Sequence, residues 1–145
     1  MTDAYHDLQQ SYGRCLRDHG FIDRFYETLL ASDPRIPPMF ARTDMGRQRV
    51  AMRRGVSVAI LHAAGSTLAR RSVEQMADVH GKAGYAPVPP YFHALWLESL
   101  LRVITDTDPE ADATLLMRWR RAMGMVVDTF TRRYEAAPAP GIDRP

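Results

Sequence analysis

Residues 21–48, FIDRFYETLLASDPRIPPMFARTDMGRQ, hold the stretch whose reading decides the fold. Phe21 to Ala31 reads as a helix, with Gly20 in front of it as the stop of whatever precedes. Asp33-Pro34 reads as an N-cap followed by proline at the first helical position, opening a short third helical turn. Pro37-Pro38 keeps that turn short, because proline has no N–H to give to a growing helix. Thr43-Asp44 then caps a longer helix, and Gln48 is a polar residue on its inward stripe.

Outward from this stretch the pattern stays helical. Upstream, Tyr5, Leu8, Tyr12, Cys15 and Leu16 mark one apolar face at helical spacing. Downstream, the capped helix runs to about Ala64 with Gln48, Met52, Gly55, Val56 and Ala59 turned inward. Gly65-Ser66 breaks the chain, and the next helix places Val73, Met76, Ala77 and His80 on one face. Gly81 to Pro90 is rich in glycine and proline and reads as an irregular loop. Phe92 to Thr105 is apolar on more than one side, as in a helix sandwiched between others. Thr107-Asp108-Pro109 repeats the cap-and-proline signal. The last helix carries Leu116, Trp119, Met123, Val126, Val127, Phe130 and Tyr134 as one stripe. No period-two alternation is long enough for a strand and no segment repeats, so the class is all-α. Residues 1–136 are expected to form one domain, and 137–145, rich in proline and alanine, a flexible tail.

Composition agrees. The chain has 145 residues, 46% of them hydrophobic and 25% charged, enough to enclose one core. Its net charge of +2 gives no strong pull toward nucleic acid or an acidic membrane. Arg53-Arg54, Arg70-Arg71 and Arg132-Arg133 alternate with acidic residues and read as solvated helix faces. Cys15, the single cysteine, leaves no intramolecular disulfide and falls on an apolar stripe as a small core residue. Met1 to Gln10 is polar with no signal-peptide core, and no apolar run is long enough to span a bilayer. A cytoplasmic protein is expected.

Three polar side chains stand out because apolar stripes surround them: Tyr26, Gln48 and His80. Singly, each has an ordinary explanation. A core histidine can be hydrogen-bonded, a glutamine near a helix start can reach backbone, and a tyrosine can keep its hydroxyl in water. Their joint spacing says more. Phe25-Tyr26 is followed by Pro34, by Phe40, by Gln48, and by His80 thirty-two residues later (80 − 48 = 32). With Asp33-Pro34, Met39-Phe40, Thr43-Asp44-Met45, Val79-His80, Pro89-Pro90-Tyr91, Leu95-Trp96-Leu97, Trp119 and Phe130, this resembles the globin family. Among globins it is most similar to the bacterial single-domain members and to the haem domain of flavohaemoglobins, over about residues 5 to 135.

The resemblance implies a globin fold of six to eight helices packed around a haem b pocket. His80 would ligate the iron, since a neutral imidazole holds ferrous iron while leaving the sixth position free. Its other ring nitrogen is expected to donate to the Met76 carbonyl one turn back, fixing the tautomer. Phe40 would stack on the porphyrin, Met76 would pack against it, and Tyr26, Gln48 and Met52 would face the opposite side. The family property attached to a Tyr/Gln donor pair is tight oxygen binding at a pentacoordinate or weakly hexacoordinate iron, with nitric oxide and carbon monoxide as further ligands.

Flavohaemoglobins also pair a tyrosine near the iron-ligating histidine with a glutamate on the last helix. Tyr91 is expected in the first role. Tyr134 stands at the glutamate position and Glu135 one residue off, so the electron push attached to that pair does not carry over. Nitric oxide dioxygenation is the enzymatic activity the resemblance suggests, with electrons from an external reductase because no reductase domain is read here. The alternative is a haem-based gas or redox sensor acting through a protein partner. A monomer or a homodimer fits either. Of the other histidines, His6 and His19 are placed on the first helix, His62 about four turns beyond Gln48, and His93 on the surface or at a helix edge.

Overall fold

Three of the helices begin where a side chain takes a backbone N–H that the helix itself leaves unpartnered. In the computed structural model, which describes residues 3–84 and 86–136, seven helices follow one another and no strand occurs among the described residues. They are α1 (His6–Leu16), α2 (Phe21–Ser32), α3 (Ile36–Met39), α4 (Met45–Ala63), α5 (Thr67–Val79), α6 (Pro90–Thr107) and α7 (Ala113–Tyr134). The expected tail, 137–145, lies outside the described residues.

Two of the expected starts hold. Asp44 accepts the Arg47 N–H at the head of α4, and Ser66 accepts the Ala69 N–H at the head of α5. Gly65, at φ 94, makes the left-handed corner between them that a side chain would strain. Two others move. Asp33 does not cap α3; it ends α2, and its carboxylate takes the Arg35 N–H at 2.8 Å and the Arg35 guanidinium. Asp108 does not cap α7, which begins at Ala113 under Asp112, whose side chain accepts the Leu115 N–H.

Asp108 is instead buried and serves the interior. Ser11 donates to it at 2.6 Å, Arg14 donates through Nε at 2.7 Å, and the Trp119 indole N–H donates to Ser11 at 3.0 Å. One carboxylate thereby ties α1, the end of α6 and the middle of α7 together. Burial pushes its pKa up, yet the Arg14 and Ser11 hydrogen bonds outweigh that and hold it at about 2.

The main core joins the apolar faces of α1 to α4, α6 and α7, with Phe21, Phe25, Leu29, Ile60, Leu100, Ile104, Trp119 and Met123 fully enclosed, while α5 buries Ala69, Val73 and Ala77 apart from it. Helix α6 lies between α2 and α7, which is why its sequence is apolar on more than one side. Helices α4 and α5 pack on each other and both on α7. Cys15 is buried as expected, and burial raises its thiol to about 12. Gly55, expected inward, is exposed, because Met52, Val56, Ala59 and Ile60 already fill the inner face of α4. No described helix is long and apolar enough to cross a membrane.

Candidate functional site

His80 closes α5. Its backbone N–H donates to the Met76 carbonyl at 3.0 Å, and its own carbonyl accepts the Val88 N–H at 2.8 Å. The loop after it turns back onto the helix end, with the Ala86 N–H bonded to the Val79 carbonyl and the Lys82 N–H to the Tyr134 carbonyl. Gly84 permits this fold-back, since a Cβ there would come within 2.3 Å of the Asp78 and Val79 carbonyl oxygens. The His80 ring thus has a fixed root, and it lies against Phe130 of α7, centroids 6.0 Å apart. Its Nδ1 is buried and has no hydrogen-bond partner. The expected bond to the Met76 carbonyl is absent; that oxygen serves the His80 backbone instead. Burial lowers the His80 pKa, partly offset by the adjacent Ala86 backbone.

Helices α2 and α4 bring Tyr26 and Gln48 together. The buried Tyr26 hydroxyl donates to the Gln48 backbone carbonyl at 3.3 Å. Burial raises the Tyr26 phenol, while the Gln48 side-chain amide beside it acts the other way. Met52, one turn further along α4, is buried, whereas Gln48 is half-buried. Phe40, which follows α3, stands edge-on to Tyr26 at 6.0 Å.

From Phe40 an aromatic run leads across the molecule to His80. Phe40 meets Phe92 at 6.0 Å, Phe92 meets His93 at 5.6 Å, His93 meets Phe130 at 4.8 Å, and His80 meets Phe130 at 6.0 Å. Phe40 and Phe92 pack against the core yet stay only half-buried, and Phe130 is half-buried as well. Large inward rings with one side lacking partner atoms are what a flat apolar guest would cover.

No family model matches the sequence, and no curated protein matches it. Among solved structures, the chain is similar to a Pseudomonas aeruginosa protein whose crystal structure is described as structurally highly homologous to a human hemoglobin. The two are 32% identical, with a TM-score of 0.85 over 91% of this chain and 98% of that one. The chain belongs to the globin family.

In this globin the residues present fit a haem. A half-buried imidazole whose Nδ1 is itself buried and unpartnered stands at one end of the aromatic run, and a tyrosine with a glutamine stands at the other. Other expected positions shift. Tyr91 does not reach His80; its ring lies under the Arg35 guanidinium, 3.8 Å from the centroid. Met76 is 48% exposed, unlike its buried helix neighbours Val73 and Ala77. Glu135 pairs with Lys82 at 3.3 Å rather than with a histidine. His19 lies past the end of α1 and is exposed. His62 shares with His80 a buried, unpartnered Nδ1, but its charged neighbours are Glu74 and Arg70.

His93 is the residue misjudged from sequence. Expected on the surface or at a helix edge, it is 8% exposed on the first turns of α6, with Phe92 and Phe130 against its ring. Burial and the nearby His80 together lower its pKa to about 4, so the ring is neutral at physiological pH. The signal available was spacing: two residues on a helix turn about 200°, so Tyr91 and His93 face opposite ways and only one can point inward.

Proposed function

We propose that this globin holds haem b between α4 and α5, with His80 as the iron ligand, and binds dioxygen. The observation that carries the proposal is the aromatic run with an imidazole rooted at one end and two hydrogen-bond donors at the other. Haem iron supplies reversible binding of diatomic gases, including carbon monoxide and nitric oxide. The chain's own residues set the rest. Phe40, Met52 and Phe92 would form the apolar wall against such a group and keep water from it, with Met76 and Tyr91 toward its edge. The Tyr26 hydroxyl and the Gln48 amide are donors that favour a ligand carrying partial negative charge, hence dioxygen over carbon monoxide. For Tyr26 this requires its hydroxyl to leave the long 3.3 Å bond to the Gln48 carbonyl, a small loss. Nitric oxide dioxygenation, with a separate reductase supplying electrons, is the enzymatic extension of this reading.

The test begins with the visible absorption spectrum of the purified protein in ferric, dithionite-reduced and carbon monoxide forms. A strong Soret band that shifts sharply with carbon monoxide is expected. A protein that stays colourless after haem is added sinks the proposal. Oxygen dissociation measured by stopped flow then checks the donor pair. Tyr26→Phe and Gln48→Leu are each expected to release oxygen about 10-fold faster, the effect of one hydrogen bond of about 1.4 kcal/mol. Unchanged rates in both variants remove the donor roles.

A further inference from the structure

We infer that the outward face of α4 is a docking surface for an acidic helical segment of another protein, one that presents carboxylates beside apolar side chains. The inference goes beyond the haem site and does not depend on it. Helix α4 carries apolar residues on two opposite sides. Its inner stripe is Met52, Val56, Ala59 and Ala63, all buried. Its outer stripe is Arg47, Val50, Ala51, Arg54, Val58 and Leu61, at the three-and-four spacing that keeps side chains on one helix face. Val50 is 63% exposed and Leu61 44%. A Cβ added at Gly55, on the flank of the stripe, would meet nothing within 4 Å, so none of the described residues covers that flank.

The charge on the helix decides what fits it. Residues 45–63 hold four arginines and no aspartate or glutamate. Arg49 pairs with Asp23, and Arg47 with the cap Asp44 at 3.7 Å, an exposed pair that neutralises little. Arg54, at the centre of the stripe, is exposed and forms no ion pair among the described residues. A second copy laid on this face would set four arginines against four with no carboxylate on either helix, which opposes self-pairing. Helices that lie on membranes carry Trp, Phe or Leu along the apolar side, whereas this stripe offers one leucine, two valines and an alanine. Nucleic acid would set Val50, Val58 and Leu61 against phosphates, which reward hydrogen-bond donors and not aliphatic side chains. An acidic protein helix meets both requirements. Small residues let two helix axes approach to about 8–10 Å. Carboxylates seven residues apart on the partner, about 10 Å along its axis, would meet Arg47 and Arg54 in the bidentate geometry that arginine favours.

The experiment measures fluorescence anisotropy of a labelled synthetic helical peptide, with Glu seven residues apart and Leu and Ala between, on titration with the full chain. Wild type is compared with Arg54→Glu, Val50→Glu and Arg102→Glu. Arg102 is exposed on α6, so its variant makes the same change in net charge away from α4. Saturable binding that weakens with added salt is expected. Arg54→Glu and Val50→Glu are each expected to bind about 10-fold more weakly or worse, and Arg102→Glu within about 2-fold of wild type. All three side chains face solvent, so thermal melting by circular dichroism is expected to stay unchanged. No binding, or equal weakening by Arg54→Glu and Arg102→Glu, overturns the inference. The same proteins are sedimented with phosphatidylserine–phosphatidylcholine vesicles and titrated with duplex DNA. Binding to either that is tighter than to the peptide and lost in Arg54→Glu gives the face to that partner and overturns the inference. A wild-type dimer that Val50→Glu dissociates gives it to a second copy, with the same consequence. A colourless protein that still binds the peptide removes the haem site and leaves this inference standing, so the two failures are distinct.

Discussion

His80→Gly is expected to lose haem, with affinity falling by more than about 100-fold, beyond what an outer partner of a ligand costs. Adding free imidazole is expected to restore the reduced five-coordinate spectrum, because glycine leaves a ring-shaped gap between the end of α5 and Phe130. The gap should persist: the backbone of residue 80 is held by bonds to the Met76 carbonyl and the Val88 N–H, neither of which uses the side chain. The measurement is haem retention through gel filtration, then the absorption spectrum across an imidazole titration. If His80→Gly keeps haem with an unaltered spectrum, another histidine is the ligand. His93 is then the first to test, being the other imidazole on the aromatic run. If haem is lost and imidazole does not restore it, the ring is needed for packing at this corner rather than as a replaceable ligand.

The positions that were legible in the sequence share a property: their role depends on local chain geometry or on spacing along a single helix. Asp44 caps a helix because a cap needs only the next three residues, and Gly65-Ser66 shows as a break for the same local reason. The stripe of α7 and the two-sided apolar character of α6 follow from periodicity alone. Tyr26 and Gln48 come together because the short turn through Pro34 and Pro37-Pro38 leaves α2 and α4 little choice of crossing. What was not legible depends on long-range company. Asp108 looks like a cap because Pro109 follows it, but Ser11 and Arg14, some ninety-five residues away, claim its carboxylate. Tyr91 and His93 cannot be ranked until the direction in which α6 starts is known, and that direction comes from the loop folding back on His80. Gly55 sits at an inward spacing on α4, yet two better apolar residues within the same turn occupy the core.

Asp108 carries the second large effect, and it separates charge from shape. Asp108→Ala is expected to destabilise the fold by about 3 kcal/mol, the lower range for removing one partner of a buried ion pair, lowering Tm by roughly 10 °C. The Asp108 side chain is fully enclosed and that of Arg14 only 18% exposed, so water cannot readily replace the lost partner. Ser11 and the Trp119 indole lose the anchor of their hydrogen-bond chain as well. Asp108→Asn keeps the shape and removes the charge, and should cost on the order of 2 kcal/mol at pH 7. The pH dependence fixes the cause. The carboxylate is held at about 2 in the fold against an ordinary 3.8. Its contribution is therefore fully present above about pH 5 and is lost as pH falls toward 2. Urea midpoints of wild type and Asp108→Asn should accordingly lie far apart at pH 7 and converge between pH 4 and about 2, since the protonated wild-type side chain and the amide are both neutral. A gap that stays constant across that range would mean that the asparagine is failing by geometry, and that the charge on Asp108 is not what holds α1 to α6 and α7.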